Sequence, residues 1–190
     1  GPLPSQPRPP SGATPTPPQT TPDAPKPQLP IAQPAPEQEP ENPAQVAVGI
    51  RIGKPFPGIA DRTVDGSKFS LAQWKGKVVL IDFWATWCGP CMRELPNVKA
   101  TYQAHHKDGF EIIGVSLDQD KAKLQQVIAA QGISWPQLFD GNGWDNVIAQ
   151  QCAVRSIPAT FLVGKDGVLI AAGLRGAQLD AAIAKALGQR

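Results

Sequence analysis

The sequence predicts an α/β domain with a central mixed β-sheet flanked by helices, and three observations lead there. Residues 77–84 and 111–117 are nearly continuous apolar runs, the length and composition of strands buried on both faces. Residues 90–105 and 121–131 have helical length, and Gly132 closes the second of them. Near the C-terminus, strand-like residues 160–163 and 168–172 flank the turn pair Asp166-Gly167. Strands that alternate first with helices and then with a hairpin build a sheet covered by helices.

The remaining elements follow in chain order. Gly53-Lys54-Pro55-Phe56-Pro57 and the turn Asp65-Gly66 flank short alternating stretches, which predicts an N-terminal β-hairpin ahead of the main sheet. Residues 133–139 read as a short extended piece and residues 144–152 as a further helix. That helix leads through Ser156-Ile157-Pro158 into strand 160–163, and a last helix spans about 177–187.

Residues 1–47 hold 16 of the 22 prolines and no Phe, Trp or Tyr, so they have nothing with which to build a core. The sequence predicts a Pro-rich disordered tether there and one globular domain over residues 48–190. Gly1-Pro2 matches the scar of a cleaved expression tag and no Met begins the chain, so a longer natural N-terminus carrying a signal peptide or membrane anchor is expected. The formal charge is +2 with both signs mixed along the domain, which argues against nucleic acid as a partner. The longest apolar run, Val78-Val79-Leu80-Ile81, is far short of the roughly 20 residues of a spanning helix.

Chemistry concentrates at Cys88-Gly89-Pro90-Cys91. A thiolate attacks a disulfide and a thiol does not, so the site must hold negative charge on sulfur near neutral pH. Cys88 falls where strand gives way to helix, so unpaired N–H groups and the positive end of the helix dipole face its sulfur. Pro90 suits the first helical turn, where its missing N–H has no helical partner to lose. A thiol of pKa about 8.5 is roughly 3% ionised at pH 7, whereas one lowered to about 7 is half ionised. Two intervening residues bring Cys91 across the first turn to Cys88, where it can resolve a mixed disulfide. Structural zinc would need two more ligands, and only Cys152 and the adjacent His105-His106 remain, so no metal site is expected.

The run Phe83-Trp84-Ala85-Thr86-Trp87-Cys88-Gly89-Pro90-Cys91, with Pro96 and with Ile157-Pro158-Ala159-Thr160-Phe161, resembles the thioredoxin superfamily. Within it, the hairpin region from Gly53, the run Leu71-Ala72-Gln73-Trp74-Lys75-Gly76-Lys77, the segment 121–139 and Gly164-Lys165-Asp166-Gly167 resemble the TlpA/ResA branch of tethered extracytoplasmic thiol-disulfide oxidoreductases. The resemblance covers about residues 50–188. It implies a thioredoxin-like fold with a central helix-strand insertion over about 121–139. It also implies a cis bond before Pro158, packed against the dithiol, with the Ile157 backbone pairing with an incoming peptide.

Two carboxylates are candidate proton managers. Asp82 lies six residues before Cys88 in a buried strand, where thioredoxins carry an acid; Glu94 lies three after Cys91 on the same helix face, where the TlpA/ResA branch carries one. Either, raised by an apolar setting, could accept the proton of Cys91. The lysine that often accompanies the thioredoxin acid falls at Gly114 here, a departure from that pattern. Trp87 resembles the family's semi-exposed indole at the docking surface, and with Gly89, Pro90, Ile157 and Pro158 completes the expected substrate-binding set. Trp84, Trp74, Trp135 and Trp144 read as packing residues, and His105-His106 as groups serving a helix end and solvent. Cys152 reads as a buried inert thiol, with a regulatory role as the alternative.

The function expected is reduction of client disulfides in the cell envelope or periplasm by a monomer without bound cofactor. Cys88 attacks, Cys91 resolves, and a membrane thiol reductant recharges the pair. Gly-Pro between the cysteines and Ile157 before the proline resemble reducing members, whose clients in this branch include apocytochrome c and copper-site cysteines. Peroxide reduction is disfavoured because Ala85 stands where peroxiredoxins place Thr. A redox-responsive binding module, or a copper-site thiol chaperone without turnover, is the alternative.

Overall fold

The order of burial along the chain explains how the sheet assembles. The computed structural model describes Gly12 and residues 50–189, so the expected tether lies outside the described residues apart from Gly12. Strand β3 (Val78–Trp84) is buried along nearly its whole length and takes the centre. Strand β4 (Phe110–Ser116), buried throughout, pairs parallel to it. On its other side β6 (Ala159–Val163) pairs antiparallel. The short strands β5 (Gln137–Phe139) and β7 (Leu169–Ala172) close the edges, giving the order β5-β4-β3-β6-β7. Two parallel and two antiparallel junctions make the sheet mixed, as expected.

The N-terminal hairpin is present as β1 (Ala60–Arg62) and β2 (Lys68–Ser70), paired antiparallel as a separate ribbon. A bridge from Thr63 to Leu138 and another from Pro55 to Val168 tie this region to both edges of the main sheet. Helix α1 (Gly89–His105) begins directly after β3 with Cys88 as its N-cap. Helix α2 (Lys121–Gln131) has the expected bounds: the Asp120 carboxylate caps its start, and Gly132 ends it with φ 63°, a left-handed conformation glycine adopts without Cβ strain. Helix α4 (Gly176–Ala186) packs against α1. Among the described residues, no helix is long and apolar enough to cross a membrane.

Three expectations need correction. The helix expected over 144–152 is split into a 3₁₀ turn at Gly143–Asp145 and the short α3 (Val147–Gln151). Asn146 causes the break. Its extended backbone (φ −50°, ψ 128°) lets its side chain accept the Ala149 N–H at 2.9 Å, so it serves as an N-cap and leaves the helix interior. Trp144 is thereby turned outward, 43% exposed, and is not a packing residue. His105 is buried, its Nε2 2.8 Å from Asp180 Oδ1 of α4, so it joins two helices and does not face solvent. His106 is exposed and stacks on Tyr102.

Candidate active site

Parallel β3 and antiparallel β6 lie side by side, so the chain leaving β3 and the chain entering β6 meet at one end of the sheet. The dithiol and Pro158 sit there. Cys88 and Cys91 are disulfide-bonded, with Cα atoms 5.3 Å apart. The Cys91 N–H donates to the Cys88 sulfur at 3.2 Å. An N–H group at the positive end of a helix, aimed at that sulfur, favours the thiolate form once the pair is reduced. Cys88 Sγ also lies 3.7 Å from the Ile157 carbonyl oxygen, and the Ile157–Pro158 bond is cis, as the resemblance implied. Gly89 and Pro90 form the first turn of α1, and Trp87 stands beside it, 55% exposed.

The two sulfurs meet different surroundings. Cys91, not Cys88, lines a small cavity of about 20 Å³ that Asp82, Glu94, Pro158 and Arg175 also line. That volume is enough for one water, and the site is polar enough to hold it. Burial pushes the Asp82 carboxyl up to about 7; the Glu94 charge adds to the rise and the Arg175 guanidinium opposes it. Glu94 Oε1 accepts the Gly176 N–H at 2.7 Å and the Asn97 side-chain amide at 2.8 Å. The α4 N-cap, Arg175, makes no side-chain cap bond, so Glu94 caps that helix from α1. It is a fixed, half-buried acid and not a solvated one.

Gly114 does lie opposite Asp82 in the β3–β4 register. A Cβ on Gly114 would collide with the Gln137 amide, which folds over this position and accepts the Trp84 indole N–H at 2.7 Å. A side chain there would require the Gln137 amide to move and give up its bond to the Trp84 indole. The cation near Asp82 comes instead from Arg175, whose Nη2 donates to the Pro158 carbonyl at 3.1 Å. Trp84 is core, as expected, at 5% exposure, and Trp135 is buried too. Trp74 is half-buried against Phe69. Cys152 is buried, and burial pushes its thiol up to about 12, which leaves it neutral and shielded.

Sequence reasoning missed Asp118. Buried after β4, it accepts from the Thr86 N–H at 3.0 Å, the Thr86 hydroxyl at 2.5 Å and the Ser116 hydroxyl at 2.7 Å. It thereby pins the loop that delivers Trp87 and Cys88. Ser116-x-Asp118 following a buried strand is a weak local signal, because its partner comes from the end of another strand. Asp118→Ala strands these donors and is expected to lower stability by about 3 kcal/mol in urea unfolding. Asp118→Asn, which keeps an acceptor, should lose clearly less.

A family model described as Redoxin matches residues 51–187. The thiol-disulfide oxidoreductase ResA of Bacillus thuringiensis is 31% identical over 121 residues, covering 64% of this chain and 68% of that protein. ResA of Geobacillus thermodenitrificans is 30% identical over 118 residues, covering 62% and 66%. The crystal structure of the thioredoxin domain of a thiol-disulfide oxidoreductase from Bacteroides vulgatus superposes with a TM-score of 0.66 at 30% identity, covering 72% of this chain and 97% of that one. The cysteine pair at the head of α1, the sheet that carries it and these likenesses agree, and the chain belongs to the redoxin family as a ResA-like thiol-disulfide oxidoreductase with a thioredoxin-like fold.

Proposed function

We propose that this oxidoreductase works from its reduced dithiol on disulfides of client proteins in the cell envelope, with Cys88 as nucleophile and Cys91 as resolving cysteine. The Cys88 thiolate attacks one client sulfur, forming a mixed disulfide and releasing the other client sulfur as thiolate. Cys91, losing its proton, then attacks Cys88 Sγ; the Cys88–Cys91 disulfide forms and the second client sulfur leaves. Two electrons pass to the client, and a membrane thiol reductant returns them. Asp82 and Glu94 manage the proton of Cys91, directly or through one water in the cavity they share with it. Trp87, Gly89, Pro90, Ile157 and Pro158 make the surface on which the client lies.

The observation that carries the direction of attack is the asymmetry of the pair. Cys88 caps α1 and takes an N–H bond on its sulfur, whereas Cys91 lines the acid-bearing cavity. The first environment suits a thiolate, the second a thiol awaiting a base. Residues 1–47 serve as a tether that holds the domain off a membrane, and the domain acts as a monomer. Clients in cytochrome c biogenesis fit a ResA-like protein.

Insulin reduction in the presence of a regenerating dithiol tests the activity. The chain is expected to hasten precipitation of the insulin B chain well beyond the dithiol alone. Absence of turnover, together with redox-dependent partner binding, would sink the reductase reading in favour of a binding module or a copper-site thiol chaperone.

A further inference from the structure

We infer that Trp87, Trp144 and Val147 form an apolar docking surface for client polypeptide, one that selects clients with a large apolar residue beside the attacked cysteine. This rests on the reductase reading above and names the substrate feature that the same site would choose.

Five large hydrophobic side chains are exposed among the described residues; Trp87 at 55% and Trp144 at 43% stand together next to the dithiol, and Val147, at 62%, lies three residues beyond Trp144. The Trp87 and Trp144 rings approach to 6.0 Å between centroids, tilted at 53°, so they touch yet do not bury each other. Val147 opens α3 three residues after Trp144. Trp87 precedes Cys88 directly, so the surface is continuous with the sulfur that a client disulfide must reach.

The surface is also braced. Asp140 Oδ2 accepts the Val147 N–H at 2.9 Å and Asp140 Oδ1 accepts the Asn142 N–H at 3.0 Å. Gln150 Nε2 donates to the Trp144 carbonyl at 2.8 Å, and Asn146 caps α3 between the two apolar residues. An indole held outward by a fixed turn keeps its contact area without the ordering cost that a mobile one would meet on binding. Aromatic anchors of this kind dominate the energetics of protein contacts. Trp87 adjoins Cys88 in sequence and Trp144 stands 6.0 Å from Trp87 between ring centroids, so a residue beside the attacked client cysteine is within reach of both indoles.

The test uses two synthetic peptide disulfides that differ only in the residue after the cysteine, Phe or Ser, and compares rate constants for their reduction by the full chain. The wild type should favour the Phe peptide about tenfold, as covering one large apolar side chain predicts. Trp144→Ala and, separately, Val147→Ser should cut that preference severalfold, while Trp144→Phe retains most of it. Equal rates for the two peptides with the wild type overturn the inference without any variant, as does a slowing of both peptides by the same factor in Trp144→Ala. A dimer in sedimentation velocity that Trp144→Ala dissolves would assign the surface to a second copy and also overturn it. If the wild type reduces neither peptide nor insulin, the reductase reading itself has failed, an outcome distinct from loss of selectivity.

Discussion

A Cys88→Ser chain is expected to reduce no client disulfide above the uncatalysed background, whereas Cys91→Ser should still attack and then stall. Serine cannot enter thiol-disulfide exchange, so removing the nucleophile removes the first step entirely. Removing the resolving sulfur leaves that step intact and blocks the release of the client. Incubated with an oxidised client, Cys91→Ser should accumulate a mixed disulfide visible on a non-reducing gel and cleaved by dithiothreitol, and Cys88→Ser should not. The expectation follows from placement: the Cys91 N–H reaches Cys88 Sγ at 3.2 Å at the head of α1, where it favours the thiolate once the pair is reduced, while Cys91 lines the cavity with Asp82 and Glu94. Cys152 supplies no background, because it is buried with its thiol pushed up to about 12. Equal trapping by the two variants would reverse or void the assignment of roles.

Much of this placement was legible because the chemistry depends on local sequence. A buried strand running into a helix puts Cys88 at an N-cap whatever the rest of the chain does, and Asp120 with Gly132 set both ends of α2. What escaped depends on partners distant in sequence. Thr86 meets Asp118 only because β3 and β4 run parallel and end together. His105 is buried only because α4, 75 residues on, brings Asp180 to it. Glu94 was legible as a candidate acid, but its capping of a second helix was not, because the Gly176 N–H that it accepts comes from α4. Trp144 was misjudged for a different reason: apolar residues at helical spacing masked the stronger preference of Asn146 for a cap. The missing lysine opposite Asp82 was legible at Gly114, but its cause was not, since Gln137 enters that space from β5.

Asp82→Asn should separate the catalytic from the structural consequences of burying this acid, because the two move in opposite directions. With its carboxyl raised to about 7, Asp82 gains its base form as pH passes through neutrality, where it can take the proton of Cys91. In single-turnover release of a client from Cys88, the wild-type rate should therefore rise with an inflection near pH 7. The Asn variant should lack that inflection and be slower by about 10²-fold at pH 7, the low end for loss of a positioned base because Glu94 remains in the cavity. Stability changes the other way. The folded-state pKa lies above the unfolded value, so the folded chain keeps a proton that the unfolded chain has already lost, and stability falls as pH rises from about 4 to about 7 and then levels. The ionised group costs up to about 4 kcal/mol across that window. Asn cannot ionise, so the variant should match the wild type near pH 4 and exceed it in urea unfolding at pH 8. A variant that is slower yet more stable above pH 7 marks Asp82 as a base kept in place against the fold's own preference. One that keeps the inflection would leave Asp82 a structural acid and pass the proton to Glu94.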